Sequence, residues 1–416
     1  MRMAYCPPST SRPPAPPPIR TRAICATIIR VVKSAAPNAT QAPATELIAD
    51  LQKLRDSKVI AYVTGDRNPI PAQIGDDAVR PLYDHLRELG HVKRLDLFLY
   101  SRGGAIDVPW RIVTALRRTA DEVSVLVPFR ANSAATLIAL GADEIVLGRH
   151  GELGPIDPSL NIPHIVPQPG GPPTMVPDEV RVEDVMSYVR FIRERAGLSD
   201  QASLASGLAL LGNRLDAVVL GNLYRTHSHI RDVARRMLSS RRKPPSVEVA
   251  AVIIETLAGR VYAHGHAIGY QDAEAIGLPV HAAEGDLDDL MWTLVRRYEM
   301  DLKLLEPIDP FVKRGAADTY SEDVISAVVE SEAGRHEHGG KVEITAQRQI
   351  PASLNVSVNL NLQVPPGSVD PQQLLQTLQA PIAQQAQQAV LEALRAQAPI
   401  ANAQLALRDG QWRRVR

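Results

Sequence analysis

The chain is poor in cysteine. Only Cys6 and Cys25 occur in 416 residues, both ahead of the first regular hydrophobic pattern, which leaves no material for a disulfide framework or a cysteine-rich metal site and argues against thiol catalysis. An uninterrupted apolar run of about 18 residues, the least a transmembrane helix needs, is also missing. Charge of one sign is lacking: 46 Lys and Arg against 46 Asp and Glu leave zero formal net charge. That argues against a partner held by bulk charge while leaving a local basic patch open, and no nucleic-acid partner is expected. Where a secretory signal would carry an apolar core, seven of the first 20 residues are proline, so the expected compartment is the cytoplasm.

What is present is ordinary globular chain, 45% hydrophobic and 22% charged, long enough for two or three folded units of about 150 residues. Residues 1–43, with PPSTSRPPAPPPIR and SAAPNATQAPAT, have the composition of a disordered Pro-rich tail. From Thr45 short β-branched runs alternate with amphipathic stretches. Helices are expected near 45–56, 76–89, 108–120 and 134–141, and strands at 59–64, 95–100, 123–128 and 144–147. Strands separated by helices predict right-handed βαβ units and an α/β fold with a mostly parallel sheet. The Pro- and Gly-rich stretch 154–175 predicts a long loop, followed by mainly helical sequence to about Ala258 and a last helix near 271–276. Residues 301–340 read as a linker. Beyond it, Leu354, Val356, Val358, Leu360, Leu362 and Val364 alternate with period two, and 371–397 is Gln- and Ala-rich with helical spacing. This C-terminal strand and helix predict an assembly or partner segment, because a long alternating strand left unpaired invites association.

Two segments carry the chemistry. Ser101-Arg102-Gly103-Gly104 follows the strand LDLFLY, at the strand end where open α/β sheets bind ligands; paired glycines there either make a tight turn or aim amide N–H groups at a carbonyl oxygen. Ser133, in PFRANSAATLI, follows the next strand and opens a helix. There it serves either as a helix cap or as a nucleophile at the positive end of the helix dipole.

Taken together, LDLFLYSRGGAIDVPWRIV, VPFRANSAATLIALGADEIVLG, ELGPIDPSL and the closing GRVYAHGHAIGYQDAEAIGLPV, over about 59–280, resemble the serine dehydrogenase proteinase family. That family belongs to the ClpP/crotonase superfamily and is related to signal peptide peptidase A. The resemblance implies a spiral of βα units over 44–300, Ser133 as nucleophile, and an oxyanion hole built from the backbone of Gly103 or Gly104 together with Ala134. It further implies peptide or protein substrates and assembly into a homo-oligomer.

The general base is harder to find. Peptidase A relatives use a lysine tens of residues beyond the serine, and this chain has none between Lys93 and Lys243; Arg190, in the segment where one is expected, cannot act as a base at neutral pH. Asp157, in GPIDPSL, and His164 are the candidates for the base or a group orienting it, with an Asx-type turn and a solvated loop as their structural alternatives. The HSH pair His227 and His229, the HGH pair His264 and His266, and His336 with His338 lack the spacing of metal ligands, so no metal is expected. No GxGxxG opens a βαβ unit and no cofactor is expected. The sequence thus predicts a cytoplasmic serine peptidase; the rivals are a catalytically degenerate scaffold and a crotonase-type acyl-CoA enzyme, which would use the same amide pair without a nucleophile.

Overall fold

The structure, a computed structural model, describes residues 42–157, 159–166, 174–213, 215–260, 266–348 and 400–415, with isolated stretches between 381 and 398; of 159–179 it describes the backbone alone. Most of the expected N-terminal tail, the alternating run 354–364 and most of the Gln-rich stretch lie outside the described residues.

The alternating half of the chain folds as its pattern requires. Helix α1 (Ala44–Arg55) leads into β1 (Lys58–Thr64), α2 (Val79–Leu89) into β2 (Val92–Tyr100), and α3 (Val108–Thr119) into β3 (Ala120–Val127). A two-residue strand β4 (Arg130–Ala131) precedes α4 (Ala134–Leu140) and β5 (Glu144–Leu147), and β6 (Glu152–Leu153) pairs in parallel with β4. Strands β1, β2, β3 and β5 pair in parallel, and β9 (Val280–Ala282) adds to β5 in the same sense. Their apolar runs are continuous rather than alternating because both faces are covered: Ile60, Tyr62, Leu97 and Val125 lie under α2, α3, α4 and α7 (Ala217–Ser239), while Val59, Ala61, Phe98 and Leu126 lie under α1 and α10 (Asp286–Asp301). A parallel strand with its crossover helix buries both faces of the sheet, and that burial is the main stabilising term.

Three expectations are corrected. Residues 301–340 are not a linker: they hold α11 (Pro310–Arg314), β10 (Thr319–Ser331) and the first part of β11 (Gly334–Arg348). These two strands and β12 (Ile400–Arg414) extend the same sheet, which among the described residues has eight strands in the order β12-β11-β10-β1-β2-β3-β5-β9. The β10, β11 and β12 additions are antiparallel. The loop predicted over 154–175 contains β7 (Ser159–Val166), paired antiparallel with β8 (Thr174–Arg181). Prolines on a two-stranded ribbon have an outer edge to occupy, so the proline content that signalled a loop was compatible with a strand. His336 and His338, read as linker residues, sit in β11, and His336 is buried.

The helical region consists of α5 (Val182–Arg190), α6 (Gln201–Gly212), α7 and α8 (Val247–Glu255), with α9 (Tyr270–Ala275) before β9. Among the described residues no single helix is long and apolar enough to cross a membrane.

Candidate active site

The carboxyl ends of β2 and β3 are tied together by backbone bonds. Ser101 N–H donates to Arg130 O at 2.9 Å, and Asn132 N–H donates to Ser101 O at 3.0 Å. The glycine segment is held on its other side by Ile74, whose N–H donates to Gly103 O at 2.8 Å and whose O accepts Ala105 N–H at 2.9 Å. These contacts bring the two expected segments side by side.

Both glycines are required by close approach. A Cβ on Gly104 would lie 2.3 Å from Ile74 O, and one on Gly103 would lie 2.8 Å from both Asn132 O and Ser133 Cβ and 3.2 Å from Ala134 N. Their φ values of +155° and +111° add strain for any L side chain. Gly103 therefore lies directly against Ser133 and the first amide of α4. Its own N–H donates to Ser101 Oγ at 3.0 Å, and Thr64 Oγ1 donates to the same oxygen at 2.7 Å. Of the three expected backbone N–H groups, those of Gly104 and Ala134 are thus the ones without a partner among the described residues.

Ser133 is not acting as a cap. It occupies the cap position of α4, but its side chain makes no capping hydrogen bond and its backbone sits at φ 51°, ψ −114°. Such a conformation costs a non-glycine residue about 1–3 kcal/mol and persists only where its surroundings impose it. Ser133 is half-buried, and among the described residues its hydroxyl has no hydrogen-bond partner. One residue earlier, Asn132 Oδ1 is buried without a hydrogen-bond partner, although Gly154 packs against that side chain.

Charge around the glycine segment is balanced on Asp66. Its carboxylate accepts from Arg102 Nε at 2.7 Å, Arg130 Nη1 at 3.2 Å and Tyr100 OH at 2.8 Å. Burial, with Asp66 alongside, pushes the Tyr100 phenol up, so it remains a donor. Asp157 is buried at the end of a loop whose Ile156 N–H donates to Leu257 O at 3.0 Å. His164 falls in β7, opposite Val176 of β8, and its side chain lies outside the described residues. His264 lies outside them altogether. His227 and His229 are on α7. His227 Nε2 accepts from Arg231 Nε at 3.0 Å; burial, then the Arg231 charge, hold this imidazole below its ordinary value. His229 Nε2 lies 2.7 Å from Asp107 Oδ1.

The structure brings the predicted Ser133 and Gly103 side by side, and it adds contacts from Thr64 and Ile74 that the sequence did not single out. A threonine at a strand end carries no spacing signal, since it does its work across the sheet.

The structure thus sets a strained serine beside a glycine pair at one edge of an α/β sheet, and one stretch of the sequence carries a likeness to known proteins. Residues 36–166 match the family of ClpP-like SDH-type serine proteinases. The match covers the glycine and serine segments and ends before α5, short of the resemblance read to about residue 280. Two uncharacterized proteins of Methanocaldococcus jannaschii are similar to the chain, one 30% identical over 121 residues (28% of this chain, 42% of the relative) and one 35% identical over 66 residues (16% and 23%). The chain thus spans less than half the length of these curated relatives. Among solved structures, a mutant of the 1510-N membrane-bound stomatin-specific protease aligns at TM-score 0.31 and 16% identity, covering 57% of this chain and 85% of that one. ClpP1 from Listeria monocytogenes aligns at TM-score 0.30 and 14% identity, covering 57% and 98%.

Proposed function

We propose that the chain is a serine peptidase acting through an acyl-enzyme on Ser133. The hydroxyl oxygen attacks the scissile carbonyl carbon as its proton passes to a base. The N–H groups of Ala134 and Gly104 hold the resulting oxyanion, with Gly103 giving the carbonyl room to approach. Collapse of the tetrahedral intermediate breaks the C–N bond as the proton is delivered to the leaving amine, and water then hydrolyses the ester. The observation that carries this reading is the strained, uncapping Ser133 packed against Gly103. The orphaned Asn132 Oδ1 supports it as an acceptor for a substrate N–H. Homo-oligomeric assembly belongs to the same reading and is checked by sedimentation velocity.

The test is a fluorophosphonate followed by intact mass and peptide mapping. A single adduct on Ser133, lost in Ser133→Ala, is expected. Absence of any adduct would support the degenerate scaffold, and thioester turnover that survives Ser133→Ala would support the acyl-CoA enzyme.

A further inference from the structure

We infer that His229, oriented by Asp107, is the general base for Ser133; the inference rests on the serine reading above. Helix α7 packs along both α3 and α4. Its carboxyl end is fixed at the foot of α4, where Arg241 Nε donates to Leu140 O at 2.7 Å and Arg242 N–H donates to Asp143 Oδ1 at 2.8 Å, next to the start of β5. Asp143 N–H in turn bonds Val123 O near the start of β3. α7 therefore runs alongside α4 and in the same direction, from the carboxyl edge of the sheet to the amino edge. His229 precedes Ser239, the last residue of α7, by 10 residues, about 15 Å of helix, while α4 spans about 10 Å at the same rise. This returns His229 to the edge where α4 begins, with Ser133 at its first turn.

Asp107 belongs to the same rim. It lies three residues beyond Gly104 and opens α3, yet it makes no side-chain cap bond; its carboxylate is engaged by His229 instead. The electronic arrangement is that of a base with its orienting group. The Nε2–H donates to the carboxylate, leaving the Nδ1 lone pair to accept a proton. Both side chains are about half exposed or more, 47% for His229 and 72% for Asp107, so substrate and solvent reach them.

The other described histidines are employed differently. The lone pair of His227 is occupied by Arg231. His91 and His281 lie at the opposite edge with Asp121 and Glu144, and the His150 ring lies tilted against Trp292, centroids 5.7 Å apart. His266 has no carboxylate to orient it among the described residues.

The experiment compares fluorophosphonate labelling rates of the full chain and its variants. Loss of a general base lowers the rate about a hundredfold or more, so His229→Ala is expected to label at about a hundredth of the wild-type rate. Added imidazole should restore part of it, since a small base can enter from solvent. Asp107→Asn should fall about tenfold while Asp107→Glu keeps most of the rate, as expected for a positioning residue. If Ser133→Ala abolishes labelling but His229→Ala labels within twofold of wild type, the base assignment is overturned and the serine reading stands. Loss in His229→Ala that imidazole does not rescue overturns it equally. A wild-type chain that takes up no probe removes the serine reading and the base with it.

Discussion

The spacing between Gly103 and Ser133 is the tightest constraint at the level of single residues. Gly103→Ala places a methyl 2.8 Å from Asn132 O and Ser133 Cβ at a φ of +111°. Strain of about 1–3 kcal/mol is expected from such a position. The midpoint of thermal unfolding should fall by several degrees, and fluorophosphonate labelling should fall by about a hundredfold because the serine backbone and the Ala134 amide are displaced together. Calorimetry and the labelling assay read the two effects separately. Gly103 and Gly104 were legible in the sequence because only glycine tolerates this approach. Ser133 was legible as a helix opener, but whether it caps could not be decided from residue type, since its φ of 51° and its unmade cap bond belong to the folded backbone.

Among the elements, the junction of α2 with β10 and β11 is built on a buried histidine pair. His85 Nδ1 lies 2.6 Å from Ser331 Oγ and His85 Nε2 lies 3.0 Å from His336 Nδ1. Burial first, then His336 and Arg414, push His85 down to about 4; burial lowers His336 as well. A depressed imidazole binds its proton more readily in the unfolded chain. The stability associated with neutral His85 is therefore complete above its unfolded value near 6.5 and is lost as pH falls from there toward 4, by about 3 kcal/mol. Denaturant midpoints measured from pH 7 to pH 4 should show this loss, and His85→Gln should flatten the profile over that window. The sequence placed His336 in a linker because GRHEHGG is polar and glycine-rich. Its pairing with α2 is made across more than 250 positions of chain, where no local pattern reaches.

For the whole molecule, the antiparallel additions decide how the sheet ends. β12 pairs along β11, and its distal end is anchored to α2 and to the turn before it, with Trp412 Nε1 donating to Asp77 Oδ2 at 2.8 Å and Arg414 Nη2 to Glu88 Oε2 at 2.8 Å. A chain ending at Arg348 would lose this cover and expose the 15-residue edge of β11. Unpaired edges recruit other strands, so that chain should sediment as larger species than the full chain and unfold at lower temperature.

The sequence by itself determined the alternation of β1 to β5 with α1 to α4, because continuous apolar strands and amphipathic helices have periods that survive any context. It also determined which segments carry the glycine pair and the serine, since those chemistries are local. Only the tertiary structure decided that β10 to β12 join the same sheet, that the Ser133 side chain makes no cap bond, and that Asp107 meets His229. Each of these depends on contacts between residues far apart in sequence, and chain-local periodicity contains no term for them.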